Sequence, residues 1–315
     1  MRRLRDAAAT GAESPSIRGT LASMTLLKLN EQPALERPFL VVHLSGWTDA
    51  GMAGEAASTF LRIRWNARTV GEFDPDELID YRSRRPVVRL ASGHIEAVNW
   101  SRIELAVAPE VAGGRSAVLL TGPEPDFRWR AFSEQVVEVC ELLGVEEVFG
   151  LGAFPAPALH TDPVAVFGSS RDPDLAARLE TVPAIIELAA SIQMVLEDRL
   201  HQAGIPATGL WARVPPYLAN GTHPPAALAL VRTVSRLAGV EIDTTELEAA
   251  AKDHLEQVEA AIRERPQIAE FIDQIRGLVQ EGADLRIPSG DEIAAELERF
   301  LSQQDPGSGT GEGGT

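Results

Sequence analysis

The stretch Phe39-Leu40-Val41-Val42-His43-Leu44, followed at once by Ser45-Gly46-Trp47-Thr48-Asp49-Ala50-Gly51, decides the fold. A continuous apolar run suits a strand buried on both faces, as strands are inside a sheet covered by helices. The glycine-containing turn then passes into an Ala-rich segment, about Met52 to Arg64, which reads as a helix.

Outward from that unit the same alternation returns. Thr69–Phe73 reads as a short strand, and Asp74-Pro75-Asp76-Glu77-Leu78 opens a turn or short helix. Val87–Leu90, His94–Val98 and Ile103–Val107 read as strands whose Gly93 and Ser101-Arg102 breaks suggest antiparallel hairpins. Ala117–Thr121 is a strand, and Trp129–Leu143 a helix with Phe132, Val136, Val139 and Leu143 on one face. Strands at Glu147–Gly152, Val164–Phe167 and Thr208–Ala212 then alternate with helices at Ile185–Ala203 and Pro225–Ala238. This order predicts a three-layer α/β/α domain over about 36–240, built on a mostly parallel sheet.

Past residue 240 the pattern turns helical and acidic. Leu247, Ala251, Leu255, Val258 and Ile262 form one apolar stripe, and Pro266 ends that helix and can begin the next. Ile268, Phe271/Ile272, Ile275 and Leu278/Val279 form a second stripe, and Ile293, Leu297 and Phe300/Leu301 a third. A helical appendage over 241–302 is expected, packed on the α/β domain or on another subunit. Residues 1–23 and the glycine-rich tail 303–315 read as flexible, and Met24 is an alternative start.

The chain has 315 residues and a net charge of −17, which disfavours a phosphate-backbone partner and so nucleic acid. From Glu241 to Phe300 there are 16 acidic residues against six basic ones, so over half of the net charge lies in the last fifth of the chain. That excess is either a solvated helical surface or an arm that steers a basic partner. No stretch approaches the ~20 apolar residues of a membrane span, and the N-terminus lacks a secretory apolar run. No membrane partner and a cytoplasmic location are expected. The single cysteine, Cys140, excludes an internal disulfide and is expected in the core.

Ligands of open parallel sheets bind at the carboxyl ends of strands, where three loops here carry polar residues. Gly46 and Gly51 lie in a strand-to-helix turn whose amides suit an anion. Their spacing fits neither the dinucleotide fingerprint nor the phosphate loop. The competing reading is a tight turn with Asp49 capping the helix. Glu124 and Asp126 form a second candidate, or a rigid proline-framed turn with Asp126 as a helix cap. His160 and Asp162 form the third. Convergence of Asp49, Glu124, Asp126, His160 and Asp162 would make a proton-transfer site. The six histidines show no pair at metal-ligand spacing, no Gly-x-Ser-x-Gly elbow occurs, and neither a metal nor a cofactor is expected. The five tryptophans read as packing residues.

Four ordered stretches resemble the proteasome-assembly-chaperone-two family in its actinobacterial branch. They are Gly46-Trp47-Thr48-Asp49-Ala50-Gly51, Gly122-Pro123-Glu124-Pro125-Asp126, Gly152-Ala153-Phe154-Pro155 with His160-Thr161, and Gly209-Leu210-Trp211 through Val214-Pro215-Pro216-Tyr217-Leu218. The resemblance covers about 36–245 and extends into the helical appendage. It implies a fold similar to nucleoside phosphorylases, self-association as a trimer, and a role tied by kinship to building proteasome rings, without an enzyme activity. Two departures stand out. The chain ends Gly311-Glu312-Gly313-Gly314-Thr315, without the hydrophobic–tyrosine–any-residue tail of ring-docking chaperones. Pro216 follows Val214-Pro215 where related sequences carry histidine. The expectation is a scaffold or assembly protein with itself and other proteins as partners. The alternatives are a phosphorylase- or hydrolase-type enzyme, or a small-molecule sensor, using the cleft at the strand ends.

Overall fold

The computed structural model describes residues 25–46, 48–181, 185 and 187–280. Trp47, the third apolar stripe, both termini and the acidic residues past 280 lie outside the described residues. Ten strands occur: β1 (Leu27–Leu29), β2 (Phe39–Ser45), β3 (Arg68–Phe73), β4 (Val87–Ala91), β5 (His94–Asn99), β6 (Ile103–Val111), β7 (Arg115–Pro123), β8 (Glu147–Pro155), β9 (Val166–Ser169) and β10 (Ala207–Val214). The main helices are α1 (Ala53–Arg64), α2 (Trp129–Leu143), α3 (Ile192–Gln202), α4 (Pro224–Ala238), α5 (Thr245–Glu264) and α6 (Pro266–Gln280).

Eight strands form one sheet in the order β1-β3-β6-β7-β2-β8-β10-β9. β7, β2, β8 and β10 pair parallel, whereas β1, β3, β6 and β9 join through antiparallel pairings. Five of the eight strands, β3 included, therefore run in one direction, which makes the sheet mixed and mostly parallel. β4 and β5 pair only with each other, as a hairpin beyond the sheet.

β2 lies at the centre, and its apolar run divides between the two faces as the pleat requires. Leu40 and Val42 pack with Val136, Cys140, Leu196 and Leu200 under α2 and α3. Phe39 and Val41 pack with Ala57, Leu61, Leu230 and Val234 under α1 and α4. Each large apolar side chain so buried contributes ~1.5–3 kcal/mol, and the two faces together make the α/β/α sandwich. Cys140 sits in the first of these cores, its thiol pushed up to about 12 chiefly by burial.

Local signals set the helix ends. Gly144 and Gly239 adopt positive φ (70° and 66°) and terminate α2 and α4, the left-handed cap that glycine adopts most readily. α3 starts at Ile192, later than the periodicity suggested, because the Ser191 hydroxyl accepts from the Met194 amide and caps it there. Residues 187–190 are extended or irregular. α5 and α6 supply the expected C-terminal helices, α5 lying on α4 with Ala251 buried. Among the described residues no helix is long and apolar enough to cross a membrane.

Candidate functional site

The carboxyl ends of β2, β7, β8 and β10 form one rim, and the sequence candidates line it in that order. Asp49 follows β2, forms an isolated bridge with Ala153 of β8, and turns its carboxylate onto the start of α1. It accepts from the Gly54 amide at 2.7 Å and the Glu55 amide at 3.0 Å. Asp49 therefore caps the helix, as the structural reading of this turn proposed. Gly51 has φ 68°, donates its amide to Ala219 O and accepts from the His223 amide, both at 2.8 Å. A side chain there would meet His223 Cβ at 2.7 Å, so glycine is required for the two turns to touch. The Gly51 amide is thus already engaged by protein. Gly46 packs against Glu124, whose Oε2 lies 2.5 Å from where a Cβ would stand.

Glu124 follows β7, and its Oε1 accepts from the Ile192 amide at 2.6 Å, at the first residue of α3. A carboxylate at a helix start meets both free N–H groups and the positive end of the dipole. Arg84 donates to the Glu124 carbonyl. Asp126 does not cap α2, contrary to one of the two readings of its turn. Its carboxylate accepts from the Asp80 amide at 2.8 Å and faces Arg84 at 3.5 Å, fixing the 78–84 turn instead.

His160 follows β8. Its amide and Nδ1 lie 2.9 and 2.8 Å from the Tyr217 hydroxyl, which follows β10. The amide donates to that oxygen, and the ring nitrogen shares a hydrogen bond with the same hydroxyl. Burial lowers the His160 pKa, opposed by nearby Glu259 and Asp162 and reinforced by Arg276. A cavity of about 80 Å³ is lined by His160, Asp162, Arg213, Pro215 and His223, among others. Burial also lowers Arg213, whose guanidinium lies over the Phe167 ring and donates to the Pro157 carbonyl.

Among the described residues no hydrogen bond or ion pair joins any two of Asp49, Glu124, Asp126, His160 and Asp162. Each of the first four instead holds a neighbouring turn, helix start or ring. No group of three or more His, Cys, Asp or Glu side chains among the described residues is arranged to hold a metal ion.

Three polar groups had escaped the sequence reading. His43 is 3% exposed, with Nδ1 3.2 Å from Leu151 O and Nε2 3.5 Å from Asp49 Oδ2. Nδ1 thus meets a carbonyl, while Nε2 is buried without a hydrogen-bond partner. Its signal was visible as a polar residue at an inward position of an apolar strand. His223, 2% exposed, meets His254 of α5 with Nδ1 3.2 Å from Nε2. Thirty-one residues separate them, so no local pattern announces the pair. Glu197 of α3 is buried among Gln193, Ser169 and Gly209; its carboxyl is pushed up to about 7 by burial, against the hydrogen bond from Ser169 and the nearby Gln193 side chain.

The model of the PAC2 family matches residues 43–262. Among solved structures, a Corynebacterium glutamicum protein of unknown function is 29% identical with a TM-score of 0.73, covering 87% of this chain and 99% of its own. A proteasome-assembly chaperone homologue of Mycobacterium tuberculosis is 32% identical with a TM-score of 0.69, covering 74% and 99%. A PAC2 family protein of Streptomyces avermitilis is 33% identical with a TM-score of 0.64, covering 71% and 95%. No curated protein matches the chain. With the matched segment running from the end of β2 through the rest of the sandwich and its rim into α5, the chain belongs to the PAC2 family.

Proposed function

We propose that this chain is a non-enzymatic, assembly-chaperone-like scaffold of the cytoplasm that acts through protein–protein contacts as a homo-oligomer, a trimer. The observation that carries the reading is the state of the rim. Asp49 and Glu124 are engaged by backbone amides at helix starts, Asp126 by the Asp80 amide, and His160 by Tyr217. A proton-transfer centre needs its acid and base side chains gathered on one reacting group, and these are instead each hydrogen-bonded to a separate turn, helix start or ring. The 32% identical mycobacterial proteasome-assembly chaperone homologue supports the same direction. The division of labour would follow the chain, with the α/β domain of 36–240 as the body and the acidic appendage of 241–302 as the arm. The test is capture of partners on the full-length tagged chain in a producing cell, read by quantitative mass spectrometry. A defined protein partner, with proteasome subunits the first to look for, is expected; recovery of nothing reproducible would refute the proposal.

The small cavity beside His160 and His223 favours a second reading, a metabolite sensor. Thermal stabilisation by a nucleotide or an acidic metabolite, lost in Arg213→Ala, would support it over the scaffold reading.

A further inference from the structure

The β4–β5 hairpin and the adjoining Trp100 hold half of the exposed large apolar side chains among the described residues. Val87, Leu90 and Ile95 are 64–67% exposed, and Val88, Val98 and Trp100 41–48%. Both hairpin edges are open, since neither strand pairs with the main sheet. A free two-stranded hairpin is marginal in water, and open edges carrying apolar side chains invite a partner. Val88, Leu90, Ile95 and Val98 share one face of the hairpin as directly opposed pairs, an apolar patch that falls short of the ~800 Å² per partner of a stable contact and needs a further attraction.

Charge identifies what would complete that contact. Residues 81–102 carry five arginines and one glutamate in a chain of net charge −17. Arg89 pairs with Glu96 and Arg102 with Glu72, whereas Arg82 and Arg85 are exposed and hold no ion pair among the described residues. The opposite pattern occupies the arm, where residues 241–280 carry ten acidic and four basic side chains. Glu246, Asp253 and Glu264 of α5 are exposed without ion pairs among the described residues. Their spacings of seven and eleven put all three on one helix face. Phe271 of α6 adds an apolar side chain that is 45% exposed.

The two surfaces stand on separate parts of the molecule. The hairpin joins the sheet at β6, while α5 lies on α4, which packs on β10. Four strand spacings, roughly 19 Å, separate β6 from β10 along the sheet. We propose that the basic, apolar hairpin of one copy docks on the acidic α5–α6 arm of the next, head to tail, so that repetition closes a ring. Contacts of this heterologous kind generate rings when the rotation closes. The inference rests on the homo-oligomeric scaffold reading and names the surfaces that would build it.

The experiment is light-scattering mass determination on the full-length chain, at low and high salt, for the wild type and two surface variants. Leu90→Glu/Ile95→Glu alters the hairpin, and Glu246→Arg/Asp253→Arg/Glu264→Arg alters the arm. The wild type is expected as a multimer whose mass falls toward the 33.9 kDa of one chain as salt rises, because the contact is charge-assisted. Each variant alone should be monomeric. Their equimolar mixture should stop at a dimer, since one intact hairpin and one intact arm remain between them. An arm variant that assembles like the wild type would overturn the inference, as hairpins would then be pairing with hairpins. A hairpin variant that stays multimeric, or a mixture that stays monomeric, would do the same. All the altered residues are exposed, and a wild type that is monomeric at every concentration overturns the idea without any variant. Variants that leave a multimeric wild type unchanged refute these surfaces alone and leave the scaffold reading standing, whereas a monomeric wild type also removes the homo-oligomer from that reading.

Discussion

Replacing His223 with glutamine tests the junction between the sandwich and its arm. His223 is 2% exposed at the start of α4 and faces His254 of α5 at 3.2 Å. Burial first, then His254 and His160, lower its pKa from the ordinary 6.5 to about 4. The folded protein therefore refuses a proton that the unfolded chain accepts below 6.5. Where the unfolded state binds more protons, stability rises with pH, so stability is intact above about 6.5 and falls on acidification toward 4. The gap of about 2.5 pH units, at ~1.4 kcal/mol each, sets a ceiling of ~3 kcal/mol. Between pH 7 and pH 5 the share lost is roughly 2 kcal/mol. His254 and His160 are lowered by burial as well and act in the same direction, while Asp162 and Glu259 oppose the shift at His160. The assay is urea unfolding of wild type and His223→Gln at both pH values. The wild type should lose about 2 kcal/mol more than the variant over that interval. Equal losses would refute the reasoning, since a residue merely filling space would shift both curves alike.

Three further outcomes are expected. Glu197, with a carboxyl pushed up to about 7, is protonated in the fold when the unfolded chain has already ionised, so its stabilising share declines as pH rises through 7. Glu197→Gln should then keep roughly 1 kcal/mol that the wild type loses between pH 6 and pH 8, read by denaturant unfolding. Gly54→Ala places a Cβ 2.5 Å from His43 Nδ1 and 3.1 Å from Asp49 Oδ1, and should lower stability by about 1–3 kcal/mol despite alanine's helix preference, seen as a fall in Tm. Arg115 is 6% exposed and donates to Glu147 at 2.6 Å and to the carbonyls of Arg37 and Ala238 at 2.9 Å. Arg115→Met strands those acceptors and should cost about 3–5 kcal/mol; a loss under about 1 kcal/mol would show that the network contributes little.

The sandwich was legible because its signal is local. Phe39–Leu44 reads as a doubly buried strand from six consecutive residues, and α2 matches its periodic stripe from Trp129 to Leu143. The hairpins at 87–107 were visible in their turn residues, but their fates were not. β6 entered the main sheet, while β4 and β5 were left outside it. Strand partnership depends on which edges are free once the chain has collapsed, and no turn residue encodes that. The start of α3 was misplaced for a related reason, since apolar residues from Ile185 onward mimic a helix until Ser191 supplies the cap.

The rim was legible as a set of positions and opaque as a set of roles. Glycines, prolines and carboxylates after strands mark turns at one edge of a parallel sheet, and family resemblance followed from their order. Whether Glu124 holds a substrate or the Ile192 amide depends on a residue 68 positions away. The meeting of His223 with His254 likewise exists only because α5 folds back onto α4. Hydrophobic periodicity acts over a few residues and is written in the chain itself. Hydrogen-bond partnership and burial of charge act over a few ångströms, and only the closed structure brings those distances into being.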